Sequence, residues 1–481
     1  MSVLVIDIGT SGLRAAVVDG DGRVTCVRYR SLPPDTPFPG LVEFDAELLA
    51  TTAIELATEA LAAHPGTVAA LGVSTQRAST VVWDRATGIP VASALGWQDL
   101  RTVMQCITAK SDHGLTLAPN QSATKLAWLL DTYDSTRSAD LCFGTIDSWL
   151  VWKLSNGTAH VTDRSQAAVT GLLEADGSAW SQRVLDALHI PAAMLPSLVD
   201  TSGRCAVATA LPGAPPIAAI VGDQQASLIG QSCVTPGDTK ITFGTGGMLD
   251  TCRAGGAPAS GQRGPHGTFP IVAWGIDGQL TWGVEAIMLS AGTNVEWLVD
   301  DLGVLQNPAA SHAVAAACEH TDGVVYVPAL LGLGTPHWDY GARGTLLGVT
   351  RGTGRPHLVR AVLEGVAHRG ADLIEAAEAD LGTSIPCVRI DGGMSENPTF
   401  VQALADAAGV TVEVSPEKEA TTLGAAYLAG LASGMWSFDD IAALWRPRHV
   451  VEPGQPLDRQ RWRRAVERSE RWIPELSALD F

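Results

Sequence analysis

Residues 3–22, VLVIDIGTSGLRAAVVDGDG, set two strand-like runs of small and β-branched residues around Gly9-Thr10-Ser11-Gly12 and end the first run on a carboxylate, Asp7. Apolar runs joined by a glycine-containing turn predict an antiparallel hairpin. Glycine permits positive φ and lets main-chain N–H groups approach a ligand closely, so a G-T-x-G turn suits phosphate oxygens, although plain hairpins carry such turns too. A carboxylate facing bare phosphate repels it. Asp7 makes chemical sense if Mg2+ or its water shell lies between the two.

Outward from this stretch the chain reads as α/β. A third strand, Val24–Arg30, precedes a helix from about Asp45 to His64, then a strand at Val68–Thr75. STVVWDRATGIPV (79–91) reads as a hairpin turning near Asp84 and Gly88, and a helix follows near Ser122–Asp131. After the Pro/Gly-rich patch 211–216, IAAIVGD reads as a buried strand and QQASLIG as the helix after it, with Asp223 placed to cap it. The opening then recurs. In 238–252, DTKITFGTGGMLDTC, Gly244-Thr245-Gly246-Gly247 matches the first turn, which predicts two similar α/β domains facing a cleft. Their expected extents are 1–235 and 236–445. The second contains a helix at Pro356–Leu381, a strand ending in RIDGGMSEN, and the small-residue helix ATTLGAAYLAGLASGM; a polar helical tail occupies 446–481.

The 481 residues are 46% hydrophobic, enough for a large core and roughly two to four domains. A net charge of −19 disfavours nucleic acid and an anionic membrane as partners. Eight dispersed cysteines without a C-x-x-C pair imply reduced core thiols. No leader-like N-terminus or membrane-length apolar run is apparent, so a cytoplasmic protein without membrane insertion is expected, and the N-x-S/T matches at Asn120 and Asn156 carry no glycosylation meaning. The Walker loop is absent because no G-K dipeptide occurs, and no strand-to-helix G-x-G-x-x-G supports a dinucleotide fold.

Several residues invite chemistry. Asp223, between Gly222 and Gln224-Gln225, is either a helix cap or a base accepting a proton from a hydroxyl that attacks a phosphoryl group. Gln76 and Arg77 sit at a strand end, where the guanidinium fork suits sugar hydroxyls or, equally, a surface ion pair. Trp97 is a pocket wall or ordinary core. Asp391-Gly392-Gly393 with Asn397 suits the close approach of a flat adenosine group.

In this order, DIGTSGLRA, STQRASTVVWDRATG, GWQDLRT, SATKLAWLLD, HVTDRSQA, VGDQQASLIGQ, FGTGG, GTLLGVTRGTGRPHLVRAVLE and DGGMSENPTF resemble blocks of the FGGY carbohydrate kinases over residues 3–436, most of all the glycerol-kinase branch. The resemblance implies two actin-like, RNase H-type (ASKHA) domains closing over ATP and a small polyol or ketose. It implies an ATP-dependent, Mg2+-assisted transfer with Asp223 as general base. Asp7 and Asp223 would lie at the metal. Gly9, Thr10, Ser11, Arg14, Thr245, Gly246, Gly292, Gly393 and Asn397 would lie along the nucleotide, and Gln76, Arg77, Trp97, Asp223 and Gln224 beside the acceptor.

The match departs from the branch at three acceptor positions. Q-R-E-T is expected where Gln76-Arg77-Ala78-Ser79 stands, Tyr where Asn120 stands, and Phe where Met248 stands. Losing a hydroxyl-accepting carboxylate costs discrimination, and two lost aromatic walls leave a roomier pocket. A longer polyol or a ketose is therefore at least as plausible an acceptor as glycerol. An actin-like or heat-shock-like ATPase and a catalytically idle relative are the competing readings. Homo-oligomerisation is left open.

Overall fold

The computed structural model describes residues 1–417 and 419–481. Its spine is a thirteen-stranded sheet. The strands are β1 (Ser2–Ile8), β2 (Gly12–Asp19), β3 (Val24–Ser31), β4 (Ala70–Thr75), β5 (Ser202–Val207), β6 (Pro216–Gly222), β7 (Thr239–Phe243), β8 (Gly247–Cys252), β9 (Phe269–Ile276), β10 (Gln279–Met288), β11 (Cys387–Asp391), β12 (Thr411–Val414) and β13 (His449–Val451). Across the sheet they run β13-β12-β11-β7-β8-β10-β9-β5-β6-β4-β1-β2-β3. Strands β1–β3 form an antiparallel meander, with β4 parallel to β1 and β6 parallel to β4. Strands β7, β8 and β10 repeat the meander, with β11 parallel to β7 and β12 parallel to β11. The four-residue repeat in the sequence thus marks a repeat of whole five-stranded units, and Ser202 pairing with Ile276 joins their sheets.

Local sequence explains the strands. All seven residues of β1 are buried, as a continuous apolar run flanked by strands and covered by helices requires. The edge strand β3 begins with strict alternation of half-buried and exposed residues, fitting one covered face. Helix α1 (Ala46–Ala63) starts where the Asp45 carboxylate accepts the Leu48 N–H at 2.9 Å, and it buries Leu49, Ala53, Leu56 and Ala57 in the core of the first unit.

The later helices are α2 (Asp223–Gly230), α3 (Arg355–Leu381), α4 (Pro398–Ala408), α5 (Ala420–Ala432) and α6 (Arg459–Ser469). Although α5 follows the second unit in sequence, it packs on β1, β4, β5 and β6, and its Leu423, Ala425 and Leu428 share a core with Val3, Val5 and Val221. A chain division at 235 therefore leaves α5 on the sheet of the other unit. Small residues let α5 cross α2 with backbones in contact: a Cβ on Gly424 would lie 1.7 Å from Ala226 O, and one on Gly230 1.8 Å from Ala420 O. Gly424→Ala is accordingly expected to cost about 1–3 kcal/mol or more through overpacking, read as a lower denaturation midpoint.

Four sequence expectations need correction. The segment Val81–Asp84 keeps its turn, with Val91 N–H donating to Val82 O, but its strand partner is Leu141–Gly144. The tail is not simply a polar helix, because β13 pairs with β12 and α6 buries Trp462, whose Nε1–H donates to Asp372. Gly222, not Asp223, is the extended cap residue of α2; Asp223 is its first helical residue, where an acid suits the helix dipole, and its Oδ1 accepts the Gln224 N–H. All eight cysteines are free, but only four are buried and four are half-buried. No described helix is long and apolar enough to cross a membrane.

Candidate active site

The first glycine turn closes through Gly9 N–H to Gly12 O at 3.0 Å, with Asp7 just before it. Trp97 donates its Nε1–H to Thr10 Oγ1 at 3.1 Å, so the indole is tied to the turn. Gln76 binds the same strand end, its N–H donating to Ile8 O at 2.7 Å and its Nε2 lying 3.5 Å from Gly9 O. A cavity of about 170 Å³ opens here, lined by Gly9, Thr10, Asp35, Gln76 and Gln98 among others. Arg14 sits opposite Asp7 across the hairpin, with Nη1 3.5 Å from Asp7 Oδ2, and also pairs with Glu419; Thr422 Oγ1 donates to Asp7 Oδ2 at 3.1 Å. Burial pushes the Asp7 carboxyl up to about 7 against the pull of Arg14 and Thr422, and the nearby Asp223 charge adds to the rise.

Asp223 opens α2 at the end of β6, with Oδ1 3.6 Å from Arg77 Nε. Burial raises its pKa, and Arg77 opposes the rise. Arg77 reaches onward to Glu285, Nη2 to Oε2 at 2.6 Å. Glu285, Asp250 and Lys240 are direct cross-strand neighbours on β10, β8 and β7. Lys240 Nζ lies 2.6 Å from Asp250 Oδ2 and donates to Gln224 Oε1 at 2.7 Å. The sequence reading missed this row. Its signal was present, since charges at inward positions of TKITF, MLDTC and WGVEA interrupt strands that are otherwise apolar or neutral, and buried charges are rarely unpaired.

Of the acceptor residues, Arg77, Asp223 and Gln224 converge. Met248 is half-buried on β8, opposite Thr242. Ala78 is buried at φ +61°, with its carbonyl accepting Ser122 Oγ at 3.0 Å. Asn120 is exposed in the turn before the helix Ser122–Tyr133, and among the described residues no hydrogen bond joins it to the others.

The second turn is laced to a helix start: Gly292 N–H donates to Gly244 O and Ala291 N–H to Thr245 O, each at 2.8 Å. A Cβ on Gly292 would meet Gly244 O at 2.6 Å, and one on Gly246 would meet Met288 O at 2.8 Å, so both glycines serve this close packing. Above Gly244 and Gly393 no atom lies within 4 Å of a built Cβ, leaving room for a ligand. Gly392, at φ +84°, packs on Phe243 O. The Asn397 amide is engaged within the protein, accepting the Phe400 N–H at 3.1 Å as the cap of α4 and donating to Ser311 Oγ at 2.9 Å.

These residues fit a magnesium nucleotide. Asp391 Oδ1 is buried without a hydrogen-bond partner, while its Oδ2 accepts from Ser227 at 3.2 Å. Asp7, Asp223, Asp250, Glu285, Asp391 and Glu419 outnumber Arg14, Arg77 and Lys240 as their nearby cations. Among the described residues no three acidic, histidine or cysteine side chains would hold a metal on their own.

The model of the FGGY family of carbohydrate kinases, N-terminal domain, matches residues 2–230, and the C-terminal domain model matches 239–433. Glycerol kinase of Aromatoleum aromaticum is 42% identical over 98% of this chain and 99% of its own; that of Bordetella parapertussis is 41% identical over 98% and 97%. The crystal structure of Plasmodium falciparum glycerol kinase with ADP superposes at a TM-score of 0.89 with 27% identity, covering 97% of this chain and 98% of that one. A ligand-bound xylulose kinase from Lactobacillus acidophilus superposes at 0.84 with 20% identity, over 97% and 96%, a likeness of fold alone.

Proposed function

The chain belongs to the FGGY family of carbohydrate kinases, and from that premise we propose that Asp223 is the base of its ATP-dependent transfer to a hydroxyl of a small polyol or ketose. The observation that carries this is the placement of Asp223: a half-buried carboxylate at a strand end, oriented by Arg77 and close enough to Asp7 to raise its pKa. Burial makes Asp223 a better proton acceptor than a solvated carboxylate, and Arg77 holds it in place. The attacking hydroxyl gives its proton to Asp223 as its oxygen bonds to the γ-phosphorus and ADP leaves. Main-chain N–H groups of the two glycine turns bind phosphate oxygens, and Trp97 fixes the first turn through Thr10. Asp7 and Asp223 would hold Mg2+, which neutralises charge on the transferred group.

The acceptor is read from three departures of this sequence from the glycerol-kinase branch. With Ala78, Asn120 and Met248 in place of an acid and two aromatic rings, an acceptor longer than glycerol, or a ketose, is expected to have the highest kcat/KM. The relatives named glycerol kinase favour a second reading, glycerol itself as the acceptor. ADP release with Mg-ATP against glycerol, erythritol, threitol, ribitol, xylitol, xylulose, ribulose and dihydroxyacetone separates them. A clear preference for glycerol would establish the second reading and show that the three substitutions are compensated.

A further inference from the structure

We propose that the buried Lys240–Asp250 pair is a positioning device that sets the amide of Gln224 with its N–H2 group toward the acceptor, biasing the site toward substrates that offer a carbonyl oxygen there. The inference rests on the acceptor site proposed above. An ammonium has three protons and no lone pair. Those of Lys240 face Asp250 Oδ2 at 2.6 Å, Gln224 Oε1 at 2.7 Å and Thr242 Oγ1 at 3.0 Å. Two of the protons go to Gln224 and Thr242, and the charge is paired with Asp250, on a side chain and a partner carboxylate that are both fully buried.

Only the amide oxygen of Gln224 can face an ammonium, so the chemistry of Lys240 decides the amide orientation. Gln224 is half-buried, and its Nε2 has no partner among the described residues, which leaves two N–H donors free beside Asp223. Asp250 and Met248 are two apart on β8 and therefore on one face of the strand. The lysine lock thus lies under the same wall as the acceptor position Met248. Glu285 is the cross-strand neighbour of Asp250, but it is taken by Arg77 at 2.6 Å.

A fixed N–H donor rewards an atom that only accepts. A hydroxyl there must also place its own proton. A ketone oxygen has no such need.

The test uses ketose and polyol pairs of equal length: dihydroxyacetone with glycerol, ribulose with ribitol, and xylulose with xylitol. Removing one partner of a buried ion pair leaves a stranded charge, so the pair is replaced together, Lys240→Met with Asp250→Leu, which keeps volume and fold. Gln224→Glu is the second variant: it still accepts from Lys240 but offers no N–H. In both, the ketose-to-polyol ratio of kcat/KM is expected to fall about tenfold, the scale of one hydrogen bond, through acceptor KM with ATP KM unchanged. An unchanged ratio in a folded double variant, or in Gln224→Glu, overturns the inference; so does an equal loss of kcat on every acceptor. A wild-type enzyme that phosphorylates none of the six overturns the acceptor reading itself, and this inference with it.

Discussion

Asp223→Asn is expected to lower kcat by about 10²–10⁴-fold while ATP still binds, the range for loss of a general base. Asparagine has the same shape but cannot take the proton. Its Oδ1 can still accept the Gln224 N–H, as the Asp223 carboxylate does at 2.8 Å, so the start of α2 is preserved. Arg77 keeps its 2.6 Å bond to Glu285 and is not left unpaired. The variant should therefore fold normally, which calorimetric binding of ATP and an unchanged denaturation midpoint would establish. Unchanged turnover would remove Asp223 from the mechanism. ADP release without any acceptor, indifferent to this substitution, would instead indicate an ATPase that uses the nucleotide to control a partner.

Much of this site was legible in the sequence because its signals are local. A strand, a G-T-x-G turn and a second strand specify a hairpin by neighbours alone, and β1–β2 and β7–β8 form as that pattern dictates. Asp7 and Asp223 were visible as acids closing apolar strands. The Lys240, Asp250 and Glu285 row was not read, because it exists only after three strands align in register. The same holds for Thr422 and Glu419, which reach Asp7 and Arg14 from more than 400 residues away. Nor does sequence order reveal that α5 covers the first unit's strands; its glycines signal close packing but not the partner. Asn397 shows the opposite limit, where a polar residue beside glycines reads as a ligand contact but not as the cap of α4 that its amide also makes.

Asp7→Asn should abolish Mg-ATP-dependent transfer and yet make the ligand-free protein more stable at pH 8. Burial lifts the folded-state pKa of Asp7 from 3.8 to about 7. A carboxyl with a raised pKa is favoured by folding in its protonated form. Its contribution is complete below about pH 4 and is lost as pH rises through about 7. At about 1.4 kcal/mol per pH unit, ionised Asp7 costs the empty protein at most about 4 kcal/mol at pH 8. Asparagine carries no charge, and its oxygen can keep the Thr422 hydrogen bond. The variant and the wild type should thus unfold at similar temperatures near pH 4 and diverge at pH 8, with the variant higher. A wild-type midpoint flat between these pH values, or equal destabilisation of the variant at both, would contradict the argument. Mg2+ with nucleotide should reverse the order at pH 8, because a ligand that binds only the native wild-type site stabilises it by mass action. On the function proposed above, the charge that weakens the empty fold is also the charge that recruits the metal, so stability and catalysis are opposed at this one side chain.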